Sequence, residues 1–142
     1  MPVLAFDMTM TSPESRGFEF RGKDNSAFYD GDMEPLSPAD TDLKIEKSVS
    51  GEYSIYNVSS HTGVAFRRTW AHVRNDKNNV TLFWFVRRGE ISISHPGGRN
   101  VVHPNECALA RSSQPFYMVL TPDESGEVEA LHIGVPSHRL YS

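Results

Sequence analysis

From Leu43 onward the chain is written largely in alternating apolar and polar residues. Leu43, Ile45 and Val49 alternate loosely with Lys44, Glu46 and Ser48 until Gly51 interrupts the run. A two-residue period gives a β-strand one apolar face, so this stretch predicts a strand. The signal returns at Tyr53–Val58, Val64–Arg74, Val80–Arg88, Ile91–Ser94, Arg99–His103, Cys107–Ala110, Phe116–Thr121 and Val128–Val135. That makes about eight short strands at close spacing, as in sandwiches, jelly rolls and barrels. Val80–Arg88, reading VTLFWFVRR, is apolar on both faces and fits a central strand. Turn residues punctuate the series at Ser59–Gly63, Asn75–Asn79, Gly89, His95–Gly98, Pro104–Glu106 and Pro122–Gly126.

Upstream the pattern dissolves. Residues 1–25 are polar and broken by Pro13, Gly17 and Gly22. They predict a flexible arm, with a short strand at Gly17–Arg21. Residues 26–42 carry acids and two prolines and predict a turn-rich lead-in. The expected organisation is therefore an arm over 1–25 and one all-β domain over 26–142. Neither a repeat nor a heptad is present. A helix of useful length is expected nowhere before His138–Ser142, where one could begin.

Composition narrows this picture. A chain of 142 residues and 16.0 kDa fits one domain. Ten Gly and nine Pro suit a turn-rich β chain, and a 38% hydrophobic content suffices for a core. Net charge is −4, with eleven acids against five bases in residues 1–60 and seven against nine in residues 61–142. Neither part has the dense positive patch that duplex DNA requires, so no nucleic acid is expected to be contacted by this chain itself. No apolar run reaches the length of a membrane span, and MPVLAFDMTMTSPES lacks the basic start of a secretory signal. A cytoplasmic location is the expectation. Cys107 stands alone, which excludes an internal disulfide and a multi-cysteine zinc site. A buried, small apolar strand residue is its expected role.

Motifs for catalysis are missing: no Gly-x-Ser-x-Gly, Walker loop, dinucleotide fingerprint or His-Glu-x-x-His occurs. The six histidines lie at neither i, i+2 nor i, i+4 spacing, so they do not read as metal ligands. His72 and His132 fall within predicted strands, where one could face an interior cavity as a hydrogen-bond partner. The segment Phe66–Arg74 (FRRTWAHVR) is the most suggestive. Read as a strand, it places Phe66, Arg68, Trp70, His72 and Arg74 on one face. That face either lines a pocket for an anionic or polar small molecule, since guanidinium pairs with carboxylate, or is a solvated sheet face.

Order and spacing of the later pieces resemble a known architecture. Arg88–Glu106 (RGEISISHPGGRNVVHPNE) resembles the cupin core, with a strand ending at Gly89, a hairpin at Gly97-Gly98 and a turn at Pro104-Asn105-Glu106. The cupin turn has Gly where Asn105 stands, and Asn also tolerates positive φ. FRRTWAHVRND, Gln114-Pro115-Phe116 and Ile133-Gly134-Val135-Pro136 are similar to the effector-binding domain of AraC-type transcription regulators. This resemblance covers roughly residues 35–140. It implies a double-stranded β-helix, a jelly-roll barrel with an irregular N-terminal arm, whose interior binds a small-molecule effector. It also implies a helical dimerisation segment and two helix-turn-helix motifs beyond these residues. In metal cupins, two His and a Glu precede the strand ending at Gly89, and a further His follows later. Here those places fall at 75–78, Leu82 and Phe116, so neither metal nor other cofactor is expected.

The barrel reading points Leu82, Trp84, Val86 and Phe116 inward. Trp84, Phe116 and Trp70 then form an aromatic pocket with Arg68 or His72 as polar anchors; the reverse facing of 64–74 would put Arg67 inside. Phe83 and Phe85 would pack against an outer cover or a second subunit in a homodimer. Three functions stay open. The first is the sensing and dimerisation domain of an AraC-type regulator. The second is a metal-free cupin enzyme of isomerase or lyase type using His72 or His132 as base. The third is an interaction module with a filled core.

Overall fold

The computed structural model describes residues 3–7, 18–20, 31–36, 42–50, 53–76 and 79–137. Twelve strands and one short helix occur among them: β1 (Val3–Asp7), β2 (Phe18–Phe20), β3 (Gly31–Pro35), β4 (Lys44–Ser50), β5 (Tyr53–Ser60), β6 (Val64–Arg68), α1 (Trp70–Asp76), β7 (Val80–Arg88), β8 (Glu90–His95), β9 (Gly98–Val102), β10 (Cys107–Arg111), β11 (Phe116–Thr121) and β12 (Val128–Pro136). They form two antiparallel six-stranded sheets. One runs β1-β4-β5-β12-β7-β10, the other β2-β3-β6-β11-β8-β9. From β5 to β12 the chain passes repeatedly from one sheet to the other, which is how a jelly roll winds.

Alternation decides which side chains fill the space between the sheets. In β7, Leu82, Trp84 and Val86 are buried while Phe85 is exposed; in β8, Ile91 and Ile93 are buried between half-exposed serines. The inward assignments of Leu82, Trp84, Val86 and Phe116 therefore hold. β7 has neighbours on both sides, β12 and β10, as its doubly apolar sequence requires. On β6, Phe66 and Arg68 face inward and Arg67 is exposed, its guanidinium 5.1 Å from the Tyr117 ring centroid.

Two backbone positions hold the winding. Gly89 joins β7 to β8 at φ 80°, and a Cβ there would lie 2.4 Å from the Thr121 carbonyl oxygen. Any side chain would collide with β11. Asn105 takes φ 70°, so the Asn of the Pro104-Asn105-Glu106 turn does occupy the left-handed region. The Glu106 carboxylate closes that turn by accepting from the His103 N–H at 2.7 Å.

Several expectations need correction. Val64–Arg74 is not one strand: β6 stops at Arg68 and α1 follows, although no helix was expected there. The Thr69 carbonyl accepts the first helical bond from Val73 N–H at 3.1 Å. The Thr69 hydroxyl lies 3.4 Å from His72 N–H, and His72 Nδ1 accepts from Thr69 N–H at 2.9 Å. This is a capping box in which histidine replaces the usual Glu or Gln. Those two bonds satisfy donors that a continued strand would have paired with a neighbour. Cys107 is exposed rather than buried, because β10 ends its sheet and Cys107 sits on the outer face beside Phe85. The lead-in over 26–42 contains a true strand, β3, paired to β6. Within the arm, β2 matches the short strand expected at Gly17–Arg21, and β1 pairs with β4. His138–Ser142 and the rest of the arm lie outside the described residues.

Candidate ligand site in the barrel interior

Strand register assembles a ring cluster between the sheets. In the first sheet Tyr56 pairs with His132, His132 with Trp84, and Trp84 with Ala108, so these inward residues form one cross-strand row. Neighbours in such a row lie close enough for rings to touch. The His132 and Trp84 rings stack with centroids 3.7 Å apart at 18°, and the Tyr56 ring lies 5.9 Å from His132 on its other side. Facing them from the second sheet is the row Met33–Phe66–Met118–Ile93. Between the rows is a cavity of about 20 Å³, walled by Met33, Tyr56, Phe66, Trp84, Met118 and His132 together with aliphatic neighbours. That is room for about one water molecule.

The interior is dry in its electrostatics. Desolvation drives the His132 pKa down to about 3, so the imidazole is neutral at physiological pH. Burial likewise raises the Tyr56 phenol above its ordinary range, against a hydrogen bond with Ser54 that lowers it. The Trp84 indole N–H is buried and has no acceptor among the described residues. Such unmade bonds are rare in protein interiors.

The residues expected to form the pocket are placed unevenly. Trp84 stands in the cavity wall. Phe116 is buried one register row further along and stacks on Phe66 with centroids 5.9 Å apart. Arg68, opposite Phe116 in the register, is only 1% exposed, so the solvated-face alternative does not describe it. Its Nε donates to the Ser112 carbonyl at 2.8 Å, and Ser112 Oγ accepts from Val80 N–H at 2.8 Å. Arg68 thus ties β6 to the turn after β10. Trp70 and His72 ride on α1, where Trp70 is half exposed and His72 is buried. Nδ1 of His72 caps the helix, and Nε2 lies 3.3 Å from the Asp32 carboxylate of β3. Arg68, Trp70, His72 and Phe116 are not in the cavity wall. Tyr56, Met33, Phe66 and Met118 are, and residue type alone did not single them out. Their one sequence signal was membership of the inward alternation.

A second, ionic feature lies outside the barrel. His61 Nδ1 meets the Asp42 carboxylate, its Nε2 lies 3.6 Å from Glu127, and Glu127 also pairs with Arg88. The hydrogen bond and charge of Asp42, with Glu127 beside them, raise the His61 pKa. Partial burial alone would raise the Asp42 carboxyl, but hydrogen bonds from the His61 backbone and ring pull it below the usual carboxylate range.

No protein-family model matches the sequence, and no curated protein does. Solved structures do match. The crystal structure of the AraC-like transcriptional activator CuxR aligns with TM-score 0.66 at 12% identity, covering 76% of this chain and 39% of that one. A cupin domain from Schizosaccharomyces pombe aligns with TM-score 0.51 at 11% identity over 69% of this chain and 63% of that one. An RmlC-like cupin protein from Desulfovibrio desulfuricans aligns with TM-score 0.50 at 16% identity over 66% and 82%. The fold is a cupin. The chain spans about two fifths of the length of CuxR.

The resemblance implies inward His and Glu ligands in metal cupins, and the described residues of this barrel do not fit such an ion. At the two ligand places that the resemblance assigns to Leu82 and Phe116, both side chains are buried and apolar. Among the described residues no three His, Cys, Asp or Glu side chains converge. No helix among them is long and apolar enough to cross a membrane.

Proposed function

We propose that this cupin is the small-molecule sensing and dimerisation domain of an AraC-type transcription regulator, with DNA contacted by a part of the regulator outside these residues. The observation that carries the reading is the barrel interior itself. Its described wall is apolar and aromatic around a ring cluster that holds one unsatisfied N–H, which suits binding rather than chemistry. The likeness to an AraC-like activator supports the regulatory setting. The enzyme alternative is weaker. A base is most effective with a pKa near the working pH, and His132 sits at about 3. His72 is committed on both ring nitrogens, to Thr69 and Asp32.

Self-association belongs to the same proposal. On the outer face of the first sheet, Cys107, Phe85 and Leu131 line up in one register row, and Leu109, Phe83, Ile133 and Ile55 in the next. Leu109 and Phe85 are exposed. Two adjacent apolar rows are the kind of patch that marks an interface. Light scattering of the purified chain should give twice 16.0 kDa, falling to the monomer in Phe85→Glu. A monomeric wild type removes this part of the proposal. For the regulator itself, a blot of source cells against this domain should show a band larger by roughly a hundred residues or more. A band at 16.0 kDa overturns it.

A further inference from the structure

Granting that the barrel interior is the binding site, we infer that its ligand is a small, uncharged, mostly apolar molecule carrying a hydrogen-bond acceptor for the Trp84 indole N–H, and neither a sugar nor an anion. The wall decides the chemistry. Among the described residues it offers no charged side chain, and its aliphatic and aromatic members face a space of about 20 Å³. A carboxylate or phosphate entering there would shed its water with no cation in the wall to replace it. Arg68, the buried guanidinium of this barrel, is not in that wall, and its Nε is engaged by the Ser112 carbonyl.

A sugar fails for a different reason. Each of its hydroxyls needs a partner, and the wall carries few polar atoms. Tyr56 is hydrogen-bonded to Ser54, and His132 stacks on Trp84 with the Tyr56 ring tilted at 37° beside it. What the site lacks is one acceptor, for Trp84 Nε1. A carbonyl or ether oxygen supplies that, while the remainder of the ligand meets rings and thioethers. The free space holds about one water, so a larger guest requires the walls to yield. Met33 and Met118 are the flexible, unbranched side chains facing the ring row, and they can re-pack at low cost.

Calorimetric titration of the whole chain with three six-membered-ring probes tests this: cyclohexanone, cyclohexanecarboxylate and L-arabinose. Cyclohexanone is expected to bind and the other two not. Trp84→Phe, which keeps a stacking ring and removes the N–H, is expected to weaken cyclohexanone about tenfold. Met118→Ala, which enlarges the chamber without touching the N–H, is expected to strengthen it. Binding of the carboxylate or the sugar in place of the ketone would overturn the inferred class and leave the interior-site reading standing. Ketone affinity unchanged in both variants, or absent in the folded wild type, would overturn both.

Discussion

His132 and His61 are the same residue in opposite surroundings. His132 lies between Tyr56 and Trp84 in the barrel, and desolvation alone pushes its pKa to about 3. His61 lies on the rim between Asp42 and Glu127, and their hydrogen bonds and charge raise its pKa. Among the described residues the ion pairs of Asp42 with His61, Glu127 with Arg88 and Glu129 with Arg87 lie outside the barrel, while the wall of the chamber between the sheets carries no charged side chain. Arg68 stands apart from that division, buried but carried on a backbone carbonyl near one end of the barrel.

The sharpest way to break the comparison is acid. Unfolded, His132 would take a proton near 6.5; folded, it holds out to about 3. Between those values the unfolded chain binds the extra proton, so stability is full above pH 6.5 and falls as the pH drops toward 3. The loss should be on the order of 4 kcal/mol. Urea unfolding at a series of pH values measures it, and most of that loss should vanish in His132→Leu. Asp42 acts in a lower window: its depressed pKa makes its contribution fade only below the ordinary carboxylate value of 3.8.

Arg68→Ala comes next. It removes the donor to Ser112 and empties a fully buried site, so unfolding should become easier by about 3 kcal/mol. An exposed pocket anchor would cost little, so a small loss of stability would return Arg68 to the surface reading. Thr69→Ala should cost about 1 kcal/mol by removing the hydroxyl of the α1 capping box. Helix content measured near α1 by hydrogen exchange locates that loss. The smallest effect is expected from Asp42→Asn. Because the His61 pKa is raised, its contribution is present below pH 6.5 and disappears as the pH rises through the folded value. Asp42→Asn should flatten that alkaline-side slope and lower the His61 pKa in an NMR titration.

How much of this was legible beforehand follows from the physics of each element. Strand alternation is a local signal and located the strands, but VTLFWFVRR is apolar on both faces, so the inward set Leu82, Trp84 and Val86 and the left-handed Asn105 turn came from the resemblance to the cupin barrel. α1 could be read from neither, because FRRTWAHVR satisfies a two-residue period as well as a short helix. Only Thr69 and His72 at capping-box spacing distinguish the two, and histidine is an unusual partner there. The cavity wall was half legible. Trp84 entered through the resemblance to the cupin barrel, whereas Tyr56, Phe66 and Met118 join it through cross-strand register, which no single segment encodes. Cys107 misled because burial of a free cysteine presumes an inward place, and its place on β10 is outward.

The claim beneath all of this is that the barrel encloses a neutral chamber while the rim carries the charge. NMR titration of the histidine rings, with His132 and His61 assigned through His132→Leu and Asp42→Asn, tests it most directly. The account predicts a His132 ring that stays neutral down to about pH 3 and a His61 ring that titrates above 6.5. A His132 that titrates near 6.5 would mean that water or charge reaches the Trp84 stack, and the neutral chamber would be contradicted.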